Sequence, residues 1–255
     1  MKKLLAIVMF SLLAGQAIAA DPAVVLPPDP VITAMPTGTP NEVTSAAEST
    51  TNKVYIDQAG SNPNLNITQT GTGNILGDSG TGNAFKLRGD NINLVSIQTG
   101  VNNTIMGSVY GGSVGINATI QQIGNSNYID FNCGAGTNAN CDSSNFNWKF
   151  LGNSNNLYYN GGGSNQNSAI NVTGGNNSFN LNVQAPNASQ NLQVTGDYNT
   201  FNVTQTGGGA SGHSLAVSLT GTGNTLTSSQ TGTVDNVISL KSTSNNGTFT
   251  IKQGN

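Results

Sequence analysis

The chain has 255 residues, of which 7% are charged against about 25% in an ordinary globular protein, with 33 Gly and Asn at about one residue in seven. The formal net charge is −3 and no cluster of basic residues is present, which argues against a binder of nucleic acid or anionic lipid. Disordered chains of low apolar content carry high net charge, whereas the polar residues here are Asn, Gln, Ser and Thr, which hydrogen-bond in ladders when stacked.

At the start of the chain, Met1-Lys2-Lys3 is a basic region, Leu4 to Leu13 is a short apolar run and Ala17-Ile18-Ala19 is a small-residue cleavage signal. Residues 1–19 are therefore expected to be a Sec-type signal peptide, which predicts a secreted or cell-surface protein. The apolar run falls short of the roughly 20 residues that span a bilayer, so no membrane insertion is expected. Residues 20–51 hold six of the eight prolines (Pro22, Pro27, Pro28, Pro30, Pro36 and Pro40) and four of the eleven acids. Proline removes backbone donors and favours extended chain, so this stretch reads as a Pro-rich disordered linker.

From residue 52 to 255 the chain becomes repetitive. Val54-Tyr55-Ile56-Asp57-Gln58, Leu65-Asn66-Ile67-Thr68-Gln69, Ala118-Thr119-Ile120-Gln121-Gln122, Phe201-Asn202-Val203-Thr204-Gln205 and Phe249-Thr250-Ile251-Lys252-Gln253 each place apolar residues at every second position. That two-residue period is the mark of a strand with one buried face. Turns such as Gly71-Thr72-Gly73-Asn74, Gly124-Asn125-Ser126-Asn127, Gly196-Asp197-Tyr198-Asn199 and Gly221-Thr222-Gly223-Asn224 lie between them. Ile56 to Ile67, Leu181 to Leu192, Leu192 to Val203, Leu215 to Leu226 and Leu226 to Val237 are each 11 residues apart. A constant step predicts identical arcs and hence an all-β solenoid with two strands per coil of about 22 residues, each coil sheltering the apolar side of the next.

The expected inward column comprises Val54, Ile56, Leu65, Ile67, Ile120, Ile129, Phe131, Leu181, Val183, Val203, Leu215, Val217, Phe249 and Ile251. Gln58, Gln69, Gln98, Gln122, Gln205, Gln230 and Gln253 share a strand-end phase, and Asn74, Asn127 and Asn224 a turn phase. These are the candidate self-association residues, because a buried amide is costly unless a stacked copy of itself satisfies its hydrogen bonds.

An inserted loop is expected at 133–147. Its Cys133 and Cys141 are the only cysteines, and an exported chain permits a disulfide between them. Free thiols are the alternative, and two cysteines without a nearby histidine are a poor metal site. Trp148, alternating with Phe146 and Phe150, reads as core or as a stacked aromatic, with a carbohydrate-stacking surface as the other reading.

Catalytic constellations are not apparent. His213 is the only histidine and is expected in an exposed turn, while Asp57, Asp78, Asp90, Asp130, Asp142, Asp197 and Asp235 are scattered singly instead of forming a pair of acids for glycoside cleavage. No enzymatic activity, cofactor or metal is expected. Thr68/Thr70, Thr204/Thr206, Thr225/Thr227 and Thr248/Thr250 could align into a water-ordering face, although threonine in strands is explained by its β-branched side chain alone.

Gln69-Thr70-Gly71-Thr72-Gly73-Asn74 resembles the curlin repeat Q-x-G-x-G-N, and looser copies stand at Gln98-Thr99-Gly100-Val101-Asn102-Asn103 and Gln122-Ile123-Gly124-Asn125-Ser126-Asn127. Tyr128-Ile129-Asp130-Phe131 is similar to the apolar arm that follows the asparagine in that family, and Gly221-Thr222-Gly223-Asn224 leads to Gln230 in a comparable way. The resemblance implies an extracellular amyloid fibre subunit of biofilms whose solenoid protomers add end to end, with the chain itself as partner. The Pro-rich leader and the 133–147 insertion depart from the family pattern. They leave open a second expectation, a virion- or cell-surface-attached adhesin that binds a host surface or glycan without polymerising.

Overall fold

The computed structural model describes residues 31–32, 46–47 and 55–254, apart from gaps at 60–61, 63, 78–84, 89, 111–112, 136–140, 163–164, 185–186, 208–211 and 233–234. The expected signal peptide and Val54 lie outside the described residues. In chain order the strands are β1 (Val31–Ile32), β2 (Ala46–Ala47), β3 (Tyr55–Ala59), β4 (Asn64–Thr70), β5 (Phe85–Arg88), β6 (Asn93–Thr99) and β7 (Thr104–Tyr110). They continue with β8 (Ser113–Val114), β9 (Asn117–Ile123), β10 (Tyr128–Ala135), β11 (Cys141–Asp142), β12 (Asn145–Leu151), β13 (Asn156–Gly162) and β14 (Asn167–Thr173). The last are β15 (Ser178–Gln184), β16 (Ser189–Thr195), β17 (Thr200–Thr206), β18 (Ser214–Thr222), β19 (Thr225–Thr231), β20 (Val237–Asn245) and β21 (Thr248–Gln253).

Consecutive long strands do not pair with each other. Sheet A runs β1-β3-β5-β7-β10-β13-β15-β17-β19-β21 and sheet B runs β2-β4-β6-β9-β12-β14-β16-β18-β20, with β8 and β11 paired separately. Every pairing is parallel and joins a strand to its counterpart one coil away, as between β14 and β16 or β15 and β17. The fold is therefore the expected β-solenoid. Equivalent corner and strand-end residues are separated by 22 residues from Asn155 to Asn199, and by 23, 24, 25, 28 or 29 elsewhere. The 22-residue coil is thus the unadorned unit, and the others carry insertions.

Alternation decides which side is core. In β15, Phe179, Leu181 and Val183 are fully buried, while Ser178, Asn180 and Gln184 face solvent. Leu65, Ile67, Ile120, Ile129, Phe131, Leu181, Val183, Val203, Leu215 and Val217 all point inward and are at most 4% exposed. At about 1.5–3 kcal/mol for each fully buried side chain, this column is the main favourable term in folding.

The expected spacing fails in three places. Val237 aligns with outward Ser214 and is 56% exposed, and it is Ile238 that continues the inward column beneath Leu215. A one-residue shift in a strand exchanges its faces, so the step from Leu226 is 12 residues here. The insertion expected at 133–147 is shorter, because Cys133 belongs to β10 and Asn145 to Asn147 belong to β12, leaving the extra residues at the corner between those strands. The leader at 20–51 is not wholly outside the solenoid. Val31–Ile32 pairs with Tyr55–Ile56 and Ala46–Ala47 with Thr68–Gln69, so two dipeptides occupy part of the first sheet edges.

The corner that leads from sheet B to sheet A is held by glycine. Gly174 has φ +135°, and a Cβ there would lie 1.9 Å from the carbonyl oxygen of Gly152 in the neighbouring coil, which in turn could not carry a Cβ against Gly124. The Gly174 N–H meanwhile donates to Thr195 O at 2.9 Å, carrying the parallel ladder around the bend. Gly174→Ala is expected to cost about 2 kcal/mol or more from strain at this φ, before the clash with Gly152 is relieved. A lower urea midpoint followed by circular dichroism is the check, with the exposed Asn191→Ala on the outer face of β16 staying within about 0.5 kcal/mol of the parent.

Candidate functional site

The four residues of the B-to-A corner repeat as Gly-x-x-Asn at 71–74, 100–103, 124–127, 152–155, 174–177, 196–199 and 221–224. The asparagines Asn74, Asn103, Asn127, Asn155, Asn177, Asn199 and Asn224 are each at most 1% exposed and form one internal column. Asn177 shows the unit. Its Nδ2 donates to Gly174 O at 2.9 Å within its own corner and to Asn199 Oδ1 at 2.8 Å in the next coil, and its backbone N–H donates to the same Oδ1 at 3.0 Å. Asn155 stands in the same relation to Asn177, and Asn199 to Asn224. Asn103 contacts Asn74, and Asn127 contacts Asn155. At 247 the column meets Gly247 in the asparagine position, and Asn224 Nδ2 has no partner.

The glutamines do not make one ladder. Gln69, Gln98 and Gln122 stack in sheet B, with Gln98 Nε2 donating to Gln69 Oε1 at 2.8 Å and Gln122 Nε2 to Gln98 Oε1 at 3.0 Å. Gln205 and Gln230 stack on the other wall, in sheet A, through Gln205 Nε2 and Gln230 Oε1 at 2.7 Å. Each N-terminal glutamine also staples its corner, Gln69 Nε2 reaching Ile75 O at 2.7 Å and Gln98 Nε2 reaching Thr104 O at 3.1 Å. Gln58 pairs in register with Leu87 and so has no glutamine beneath it. Gln253 lies in register with Gln230, but its side chain is exposed and Gln230 Nε2 is unpartnered. Between the two ladders the same inward positions are taken by Phe150, Val172, Val194 and Leu219 in sheet B.

Trp148 is not a surface platform. It is 1% exposed, because its position on β12 is inward, and its ring packs against Phe131, Phe146 and Tyr159 at centroid distances of 5.4, 5.7 and 5.8 Å. Nor does His213 lie in an exposed turn: it is fully buried, and the Cε1 of its ring fills the space that a Cβ on Gly232 would need. Cys133 is buried and disulfide-bonded, and the sequence holds one other cysteine, Cys141. The threonine pairs divide between the walls, Thr68/Thr70 in sheet B and the other three pairs in β17, β19 and β21 of sheet A.

Among the described residues nothing stacks on the coil of β20 and β21. β20 and β21 are the last strands of their sheets, Ile238, Leu240 and Phe249 are half-buried, and Ile251 is 41% exposed. Sequence reasoning had placed only part of the corner column: Asn155 and Asn177 follow Gly152 and Gly174 in corners that lack the preceding glutamine, and the signal that finds them is Gly-x-x-Asn alone.

Comparison of the chain with protein-family models, with curated proteins and with solved structures yields no match.

Asn177→Ala would strip Gly174 O and the Asn155 amide of their partners. A loss of about 3 kcal/mol is expected, since each buried polar group left unsatisfied costs about 1–3 kcal/mol; urea unfolding measures it. Burial also pushes the Tyr159 phenol far above its ordinary value of 10.0, with its hydroxyl donating to Gln166 Oε1 at 2.8 Å. The fold keeps the proton while the unfolded chain ionises near pH 10, so this contribution is complete below about pH 10 and declines as pH rises above it. Tyr159→Phe is expected to flatten that alkaline decline in a pH series of melting curves, while lowering stability at neutral pH by the loss of one buried hydrogen bond.

Proposed function

We propose that this chain is an exported structural subunit that self-associates end to end, as a curlin-like fibre or surface-adhesion component. The observation that carries the reading is the open last coil. It offers unpaired strand edges and the half-exposed inward residues Ile238, Leu240, Phe249 and Ile251, laid out in the same alternation that every inner coil uses to cover its neighbour. A sheet edge of this kind is a template for another chain. At the other end the described segments β1 and β2 pair with two residues each of β3 and β4, and one copy's last coil stacking toward another's first would be the head-to-tail sense that builds filaments. The near absence of charge supports the reading, since residues 52–255 hold seven Asp and six Lys or Arg and little repulsion opposes close stacking. The signal peptide expected at 1–19 and the curlin-like corner motifs agree with it.

Purified chain lacking residues 1–19 should form filaments visible by electron microscopy, with a 4.7–4.8 Å reflection along the fibre axis. Ile251→Lys places a charge on the open face without disturbing a buried site, and it should slow seeded elongation by about tenfold or more while leaving the melting curve in place. A parent chain that remains monomeric at high concentration would overturn the fibre reading.

A further inference from the structure

Amides and hydroxyls predominate on the outward faces of both sheets, and on sheet A two tyrosines come together. Tyr128 at the first outward position of β10 and Tyr158 at the second outward position of β13 stand side by side, ring centroids 6.0 Å apart and planes inclined at 53°. Tyr158 is 42% exposed, in contrast to the buried Tyr159 beside it. In register with Tyr158 lie Asp130 on one side and Asn180 on the other. Asp130 accepts from Tyr128 Oη at 3.5 Å and from Asn132 Nδ2 at 3.4 Å, and Asn182 Nδ2 donates to Asn160 Oδ1 at 2.9 Å. Around Tyr158 a depression of about 270 Å³ opens onto Asp130, Asn160, Asn180, Asn182 and Gln184.

We propose that this depression binds a neutral carbohydrate chain, with Tyr158 as the stacking platform and Asp130 and the carboxamides as hydroxyl partners. An exposed aromatic ring offers an apolar face to the C–H side of a pyranose, and its hydroxyl remains available for hydrogen bonding. Each carboxamide both donates and accepts, as each sugar hydroxyl does. Strand spacing of about 4.8 Å sets Asp130, Tyr158 and Asn180 in a row along the solenoid axis, so a polymer lying along that axis meets acceptor, platform and amide in turn. Burial, followed by the charge of Asp130, raises the pKa of the Tyr128 phenol above its ordinary value of 10.0. Acidic polymers fit poorly, because the lining contains a carboxylate and no Lys or Arg. A protein partner would need an apolar patch of standard interface size, whereas the Tyr128–Tyr158 pair, with Met106 in register beside Asp130, is a small aromatic patch bordered by carboxamides and suits a smaller, polar ligand. The site is on the outward face and does not depend on end-to-end stacking, so it stands or falls separately from the fibre reading.

The test uses the chain lacking residues 1–19, below any concentration at which it sediments, incubated with insoluble cellulose, insoluble chitin, cross-linked dextran and heparin–agarose, with the bound fraction measured as a function of matrix. Retention on at least one of the three neutral polysaccharides is expected, weakened about tenfold by Tyr158→Ala and little changed by Tyr158→Phe or by Lys149→Ala on sheet B. Melting curves should be unchanged for all three variants; if Tyr158→Ala shifts its curve, the same loss must appear with Asn180→Ala. Retention on heparin–agarose alone, retention on none of the matrices, or full binding by Tyr158→Ala would overturn the proposal.

Discussion

Everything in this solenoid depends on a buried carboxamide finding its copy one layer away. A primary amide removed from water without partners costs several kcal/mol. Asn177 escapes that cost only because Asn155 and Asn199 occupy the same place in the adjacent coils and Gly174 O lies within its own corner. The column therefore fixes register more sharply than apolar packing does. A greasy side chain slipped along its wall still finds other greasy side chains, whereas a slipped asparagine loses both neighbours at once.

The glycine column is the counterpart of that requirement. For each asparagine to reach the next, the bends must sit directly on one another, and carbonyl groups then approach the α-carbons of the coil alongside. Gly152 and Gly174 tolerate this because they carry no side chain and accept positive φ. The core can then vary. Glutamine ladders line one wall near the start and the opposite wall near the end, and an aromatic cluster of Phe131, Phe146, Trp148 and Tyr159 fills the middle. Donors in the corner column from Asn155 to Asn224 all point toward the later coil, so the amide dipoles add along the axis and polarise one another.

Much of this architecture was legible in the sequence because strand alternation and corner glycines are local signals. The two-residue period of Phe179, Leu181 and Val183 gave the inward face directly, and the 11-residue step gave the half-coil. What was not legible depended on which wall a given arc belongs to. Gln122 and Gln205 have the same local phase, yet they lie on opposite sheets, since phase within an arc carries no information about the arc's place in the coil. Trp148 and Tyr158 show the same limit at a finer scale: one position of parity separates a ring in the core from a ring in solvent, and the tyrosine pair on sheet A is brought together only by the stacking of β10 and β13.

The two rims of the stack live under different rules. At one, seven successive bends keep the same four-residue form; at the other, between β10 and β12, between β17 and β18 and between β19 and β20, the connections differ in length while the strands beyond them stay in step. Growth of the polypeptide by insertion falls mostly along that second border, the extra residues between Leu76 and Phe85 on the sheet A wall being the exception, and the parallel pairing of the strands is kept. A lineage of such chains could exchange whole decorations on that border, or a designer could graft peptides there, with no renegotiation of the spine opposite.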